Sequence, residues 1–164
     1  IGIQSQPQVD GELGEDTYSY GLYCGSGNII GPSAASTSYG VSVSAGDVVG
    51  VYLDLTANLL YFAKDGVIMN SGTGFSIVAP DSQTTGAAAT NVYFPACGDA
   101  SSSSSFVWQF NFGNGYFGTT AVTSAVADAG GIGAFEYDPS SGTFDSASKD
   151  FRAICTNNIK SYGG

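Results

Sequence analysis

Apolar and polar residues alternate most regularly between positions 46 and 67, GDVVGVYLDLTANLLYFAKDGV. Val49, Val51, Leu53 and Leu55 share one parity; Val48, Gly50, Tyr52 and Asp54 share the other. A period of two puts each set on its own face of a β-strand. Asn58 tolerates positive φ and marks the bend after Thr56 and Ala57, so residues 59–63 return as the partner strand. Asp65-Gly66 ahead of Val67-Ile68 is a second hairpin signal. The stretch predicts a three-strand meander, with Gly46, Asp47 and Gly50 as turn and close-packing residues.

Weaker alternation recurs on both sides. Ile1 to Ile3 read as the tail of a strand whose beginning is missing, and the polar residues 4–17 as a surface loop. Tyr18, Tyr20 and Leu22 alternate with small residues before a turn at 25–28. Residues 31–39 read as a loop, 40–44 as a short strand and 75–79 as another. In VYFPACG, residues 92–98, Pro95 confines the strand to an edge, bulge or strand end. Residues 101–105 are all serine and form a solvated connection. FVWQFNFGNGYFG then places Phe106, Trp108, Phe110 and Phe112 on one face. Four large aromatics on one side call for a covering sheet, which predicts a β-sandwich.

Beyond Gly118 the texture changes to short apolar patches and turn residues throughout. The expected organisation is a sandwich over 1–118 and an extended arm over 119–164, with a brief helical turn at 121–129. No long segment repeats apolar residues at three- and four-residue spacing. The 24 glycines, 10 tyrosines and 10 phenylalanines suit short strands and permissive turns. The fold class is therefore all-β, an antiparallel β-sandwich.

Charge narrows the partners. Only 11% of residues are charged, against about 25% in an average domain. Fourteen acidic and four basic residues leave a net charge of −10, and Lys149, Arg152 and Lys160 fall in the last 16 residues. Phosphate binding needs a clustered positive surface, so no nucleic acid is expected as a partner. Anionic membranes repel the same sign, and no segment approaches the ~18 apolar residues of a spanning helix. The chain opens without a methionine or signal peptide, so it is expected to be processed or part of a longer polypeptide. Cys24, Cys97 and Cys155 are odd in number, leaving at least one free or paired with another chain.

Catalytic chemistry finds little support. With no histidine, the Ser-His-Asp triad, the Cys-His pair and most zinc sites are excluded. GNGYFG and GSGNIIG do not open a helix with a following lysine, and read as β-turns. Glu12, Glu15 and Asp16 cluster in a loop, and Asp54 and Asp65 flank the hairpin. A glycosidase needs two carboxylates on rigid opposing walls, which a loop cluster does not supply. The same cluster lacks the regular oxygen spacing of a calcium loop. The expectation is no enzyme, no cofactor and no metal. Tyrosines near loops, Tyr18, Tyr20, Tyr23 and Tyr39, are the candidate ligand-binding residues, because Tyr offers contact area with a polar handle.

Residues 46–67 resemble the signature of the SPRY (B30.2) family, in which Gly-Asp-x-apolar-Gly leads into an LDL strand, a short turn and an Asp-Gly hairpin. IGI at the start, SYG at 38–40, VYFPACG and FNFGNGYF at 110–117 match further landmarks in order, so the resemblance spans about residues 1–118. It implies a bent, concanavalin-like sandwich that binds peptides or proteins through loops at one end and has no catalytic apparatus. Family members begin with one or two more strands, expected here either upstream or from a neighbouring subunit.

The tail, GAFEYDPSSGTFDSASKDFRAICTNNI, looks like an ending found after SPRY-like domains in bacteriophage virion and tail proteins. The match rests on Phe135, Tyr137, Pro139, Phe151, Ala153, Cys155, Thr156, Asn158 and Ile159, with TFDSASKD inserted. The resemblance implies a structural protein of a virion, tail fibre or other extracellular assembly, with self-assembly or other virion proteins as partners. Phe135, Tyr137, Phe144, Phe151, Ile154 and Ile159 are then candidate assembly residues of the arm. The alternative is a recognition module, an adhesin or receptor-binding domain for a host peptide or glycan.

Overall fold

The computed structural model describes residues 1–6, 12–16, 19–80, 92–99, 106–155 and 158. Among these residues it forms eleven short strands: β1 (Gly2–Gln4), β2 (Ser19–Tyr23), β3 (Asn28–Gly31), β4 (Ala35–Ser38), β5 (Val49–Asp54), β6 (Leu59–Lys64), β7 (Val67–Ile68), β8 (Phe75–Ser76), β9 (Phe94–Ala96), β10 (Tyr116–Phe117) and β11 (Thr120–Ala121). One antiparallel sheet runs β4-β3-β2-β1-β9; a second runs β5-β6-β7, with β8 also on β6. The β10–β11 hairpin stands apart. The protein is an all-β antiparallel sandwich, as the alternation implied.

The meander forms as its pattern predicts. Tyr52 faces Tyr61 and Leu53 faces Leu60 across the β5–β6 ladder. Asn58 takes φ +55 at the first bend, and Asp65 (+49) and Gly66 (+80) make the second. Two consecutive positive-φ residues match the right-handed twist of a two-residue hairpin. Asp54 Oδ1 closes the first turn by accepting from the Thr56 and Ala57 N–H groups, both at 2.9 Å. Asp47 Oδ2 closes the turn before β5 by accepting from Ser44 N at 2.7 Å and pairs with Lys64 at 2.7 Å.

The sheets meet through Ile3, Tyr20, Leu22 and Ile29 on one side and Leu60 and Phe62 on the other, with Tyr39, Met69 and Ile77 closing the layer. Val49, Val51 and Leu53 pack against it with the shared parity of the strand. The opposite parity is covered too. Tyr52, Tyr61 and Ala63 meet Phe144 and Phe151 of the C-terminal segment in a second cluster. Phe144 is completely buried and lies 4.8–5.3 Å, centroid to centroid, from Phe151, Tyr61 and Tyr52.

Other expectations change. Residues 35–38, read as loop, form the outer strand β4, whereas 40–44 form no strand. The ladder partner decides here: the backbone of Asn28 to Gly31 pairs with the backbone of β4, whose small side chains carry no apolar alternation of their own. Pro95 lies in the edge strand β9, paired only with β1 among the described residues. No helical turn forms in 121–129; β11 and a bridge from Val126 to Phe135 occupy it instead. The aromatic alternation at 106–112 is not a buried strand. Phe106, Phe110 and Phe112 are exposed, because the second sheet already has its cover from Phe144 and Phe151. The expected connection at 101–105 lies outside the described residues.

Candidate interaction surfaces

The tyrosines singled out from the sequence do not come together. Tyr20 and Tyr39 are core residues, 2% and 5% exposed. Tyr20 Oη accepts from Val78 N at 2.9 Å, and its ring meets Phe75 and Tyr93 edge to face. Tyr39 packs edge to face on Phe62, and burial pushes its hydroxyl pKa up to about 12. Tyr20 uses its polar tip and its ring inside the fold and Tyr39 buries both, which removes them from a tyrosine-lined surface. Tyr23 is exposed at the end of β2. Tyr18 lies outside the described residues.

A groove of about 610 Å3 opens beside Tyr39 instead. Gly40, Val41 and the β6–β7 hairpin from Lys64 to Ser71 line it. Met69 forms a buried base, while Val41 and Val67 stand exposed as its walls. Asn70, Ser71 and Gly72 turn the chain with three consecutive positive φ values, 53°, 51° and 81°. Lys64 Nζ is held at the rim by Asp47 and by Ser42 O at 3.2 Å. An apolar trough with one fixed ion pair at its rim suits apolar side chains of a peptide better than a charged small molecule. Sequence pattern missed this feature, although Val67, an apolar residue directly after a tight turn, carries the signal.

The C-terminal segment builds a second surface. TFDSASKD, the stretch that interrupts the tail motif, is a tight turn: Asp145 and Ser146 have φ of 49° and 67°, and Phe144 and Ala147 bridge. This turn inserts Phe144 under Tyr52 and Tyr61. Tyr61 Oη donates to Asp145 Oδ2, whose other oxygen accepts from Gly74 N at 3.1 Å. Lys149 Nζ meets Asp54 Oδ2 at 2.6 Å and lies 5.6 Å from the Tyr61 ring centroid. Burial and the Asp145 hydrogen bond push the Tyr61 pKa up to about 12.

Further along, Asp128 is buried and fully engaged. Its Oδ1 accepts from Gly130 N (2.8 Å) and Ile132 N (2.9 Å); its Oδ2 accepts from Ala153 N (2.8 Å) and Asn158 Nδ2 (2.7 Å). Burial alone would raise its pKa, but these hydrogen bonds outweigh it and hold the carboxyl below its ordinary value. The Asp-x-Gly-Gly spelling at 128–131 is the signal for such an Asx turn.

The candidate assembly residues divide accordingly. Phe144 and Phe151 are engaged within the chain. Phe135 lies against Gly113 and Gly133, Tyr137 over Gly66, and Ile154 is exposed. Ile159 lies outside the described residues. The carboxylates weighed for catalysis have structural partners: Asp54 takes Lys149 and a turn, and Asp65 Oδ1 accepts from Val48 N at 2.9 Å. Glu15 accepts from Glu12 N at 2.9 Å within its own loop. Cys24, Cys97 and Cys155 are all free thiols. No helix among the described residues is long and apolar enough to cross a membrane.

The family model of the SPRY domain matches residues 1–114, the sandwich and the segment that follows β9. No curated protein matches the chain.

Proposed function

The chain belongs to the SPRY domain family, and from that premise we propose that it is a non-enzymatic protein-interaction module working as a structural part of a virion, tail fibre or other extracellular assembly. The observation that carries the reading is the family match over 1–114, because SPRY domains generally mediate protein–protein binding. The apolar groove beside Tyr39 supports it with a surface of the right chemistry. The virion setting is supported by the tail: its residues from Phe135 to Cys155 resemble endings found after SPRY-like domains in phage structural proteins, and the low-charge surface suits tight packing. The test is light scattering on the purified chain. A defined assembly of several copies is expected; a monomer at every concentration would overturn the assembly reading.

A second reading, recognition of a host peptide or glycan, is favoured by the exposed Val41 and Val67 walls of the groove. It predicts binders on a peptide or glycan array that Val67→Asp abolishes. An array without signal above background removes it.

A further inference from the structure

Residues 106–112, FVWQFNF, are exposed along most of their length, and no ladder runs through them among the described residues. Phe106 is 62% exposed, Phe110 37% and Phe112 43%, and the last two rings stack in parallel, 5.8 Å apart with 6° between planes. Asn111, of the other parity, ties the segment to the C-terminal region: its Nδ2 donates to Ala134 O at 2.8 Å, and its Oδ1 accepts from Gly113 N at 2.8 Å. The segment is therefore held at one end, with Phe106, Phe110 and Phe112 exposed on the aromatic parity and Trp108 half-buried between them.

We propose that this segment pairs antiparallel with the same segment of a second copy of the chain, about a two-fold axis through Gln109. Two observations select a second copy. The aromatic pattern is a palindrome about Gln109: in that register Phe106 faces Phe112 and Trp108 faces Phe110, so every aromatic meets an aromatic on one face. An isologous contact requires such self-complementarity. The second is charge. Two copies of a chain with net charge −10 repel, yet residues 100–127 contain no charged side chain. Here the copies can touch without bringing carboxylates together. The pairing would also give ladder partners to a backbone that joins no sheet among the described residues. The inference rests on the assembly reading and names its contact.

The experiment uses the full chain with Cys24, Cys97 and Cys155 changed to serine, plus one new cysteine. Gln109→Cys lies on the proposed axis and is expected to form a disulfide with its twin under mild oxidation. Val107→Cys is not, since its twin lies four residues along, about 13 Å away at strand rise. Phe110→Lys in the wild-type background is expected to reduce the assembly to a single-chain mass while keeping the far-ultraviolet circular dichroism and melting temperature of a folded protein. Raising the salt concentration is expected to strengthen the wild-type association, because it screens the repulsion. An assembly that survives Phe110→Lys, or equal cross-linking at 107 and 109, overturns this pairing and leaves the assembly reading standing. A wild-type chain that stays monomeric at high salt and high concentration removes both.

Discussion

Gly72 sits where the C-terminal segment crosses the sandwich, and its constraint comes from two directions. Its φ is +81°, and a Cβ there would fall on the carbonyl oxygen of Thr143. Its own carbonyl accepts from Asp145 N at 2.9 Å. Gly72→Ala is expected to destabilise the fold by about 1–3 kcal/mol from backbone strain alone, with a further cost from displacing Thr143, read as a lower urea midpoint. Asp128 is the other residue on which the C-terminal segment depends. Asp128→Ala leaves the N–H groups of Gly130, Ile132 and Ala153 without their acceptor, and is expected to cost at least about 1–3 kcal/mol. Its pH dependence has a definite sign. A carboxyl whose pKa is depressed on folding contributes stability that is complete above its unfolded pKa, about 4, and is lost as pH falls through the folded value. Wild-type stability is therefore expected to fall below about pH 4, and less steeply in Asp128→Ala; unfolding curves at several acidic pH values check it.

At the scale of elements, β6 is the strand that belongs to two cores. Leu60 and Phe62 face the inter-sheet layer, while Tyr61 and Ala63 face the aromatic cluster built with Phe144 and Phe151. A strand buried on both faces reads as a continuous apolar run, and LLYFA at 59–63 is one. Phe144→Ala removes a completely buried ring, and an expected loss of about 3–5 kcal/mol follows from the cavity. If the 143–150 turn were only laid on the surface, the same change would cost little, so chemical denaturation separates the two. Tyr39, Tyr52 and Tyr61 all have pKa values pushed up to about 12, each chiefly by burial. For an acid raised on folding, the stability contribution is complete below the unfolded pKa, about 10, and is lost as pH rises through the folded value. An ultraviolet titration is expected to show a tyrosine fraction ionising near pH 12, coincident with unfolding.

The whole molecule is a sandwich whose second sheet is roofed by its own C-terminal segment. That roof takes Phe144 and Phe151, the aromatics that otherwise would be free for a neighbour, and leaves the 106–112 segment uncovered. The surplus of negative charge acts at this scale as well. With 14 acidic and four basic residues, self-repulsion opposes compaction, so the melting temperature is expected to rise with ionic strength. Calorimetry from low to high salt measures it. The ion pairs Asp47–Lys64 and Asp54–Lys149 are partly exposed and would weaken under the same change. A falling midpoint would mean that these pairs outweigh the net repulsion.

Local spelling determined the all-β class, the meander and its turns, and the edge position of Pro95. Each depends on contacts a few residues apart, or on a backbone preference that one residue type carries. Ordered landmarks along 1–118 likewise made the family legible. The sequence did not distinguish which aromatics are buried. Phe106, Trp108, Phe110 and Phe112 alternate as well as any core strand, yet three of the four are exposed, because Phe144, far beyond the meander in sequence, covers its outer face. Tyr20 and Tyr39 went inward for a similar reason, since a tyrosine buries when a distant group such as Val78 N or the Phe62 ring completes its surroundings. The clasp at Asp128 and the seat at Gly72 join residues 25 and 71 positions apart. Such pairings are set by how sheets and turns close in space, and no window along the chain contains them.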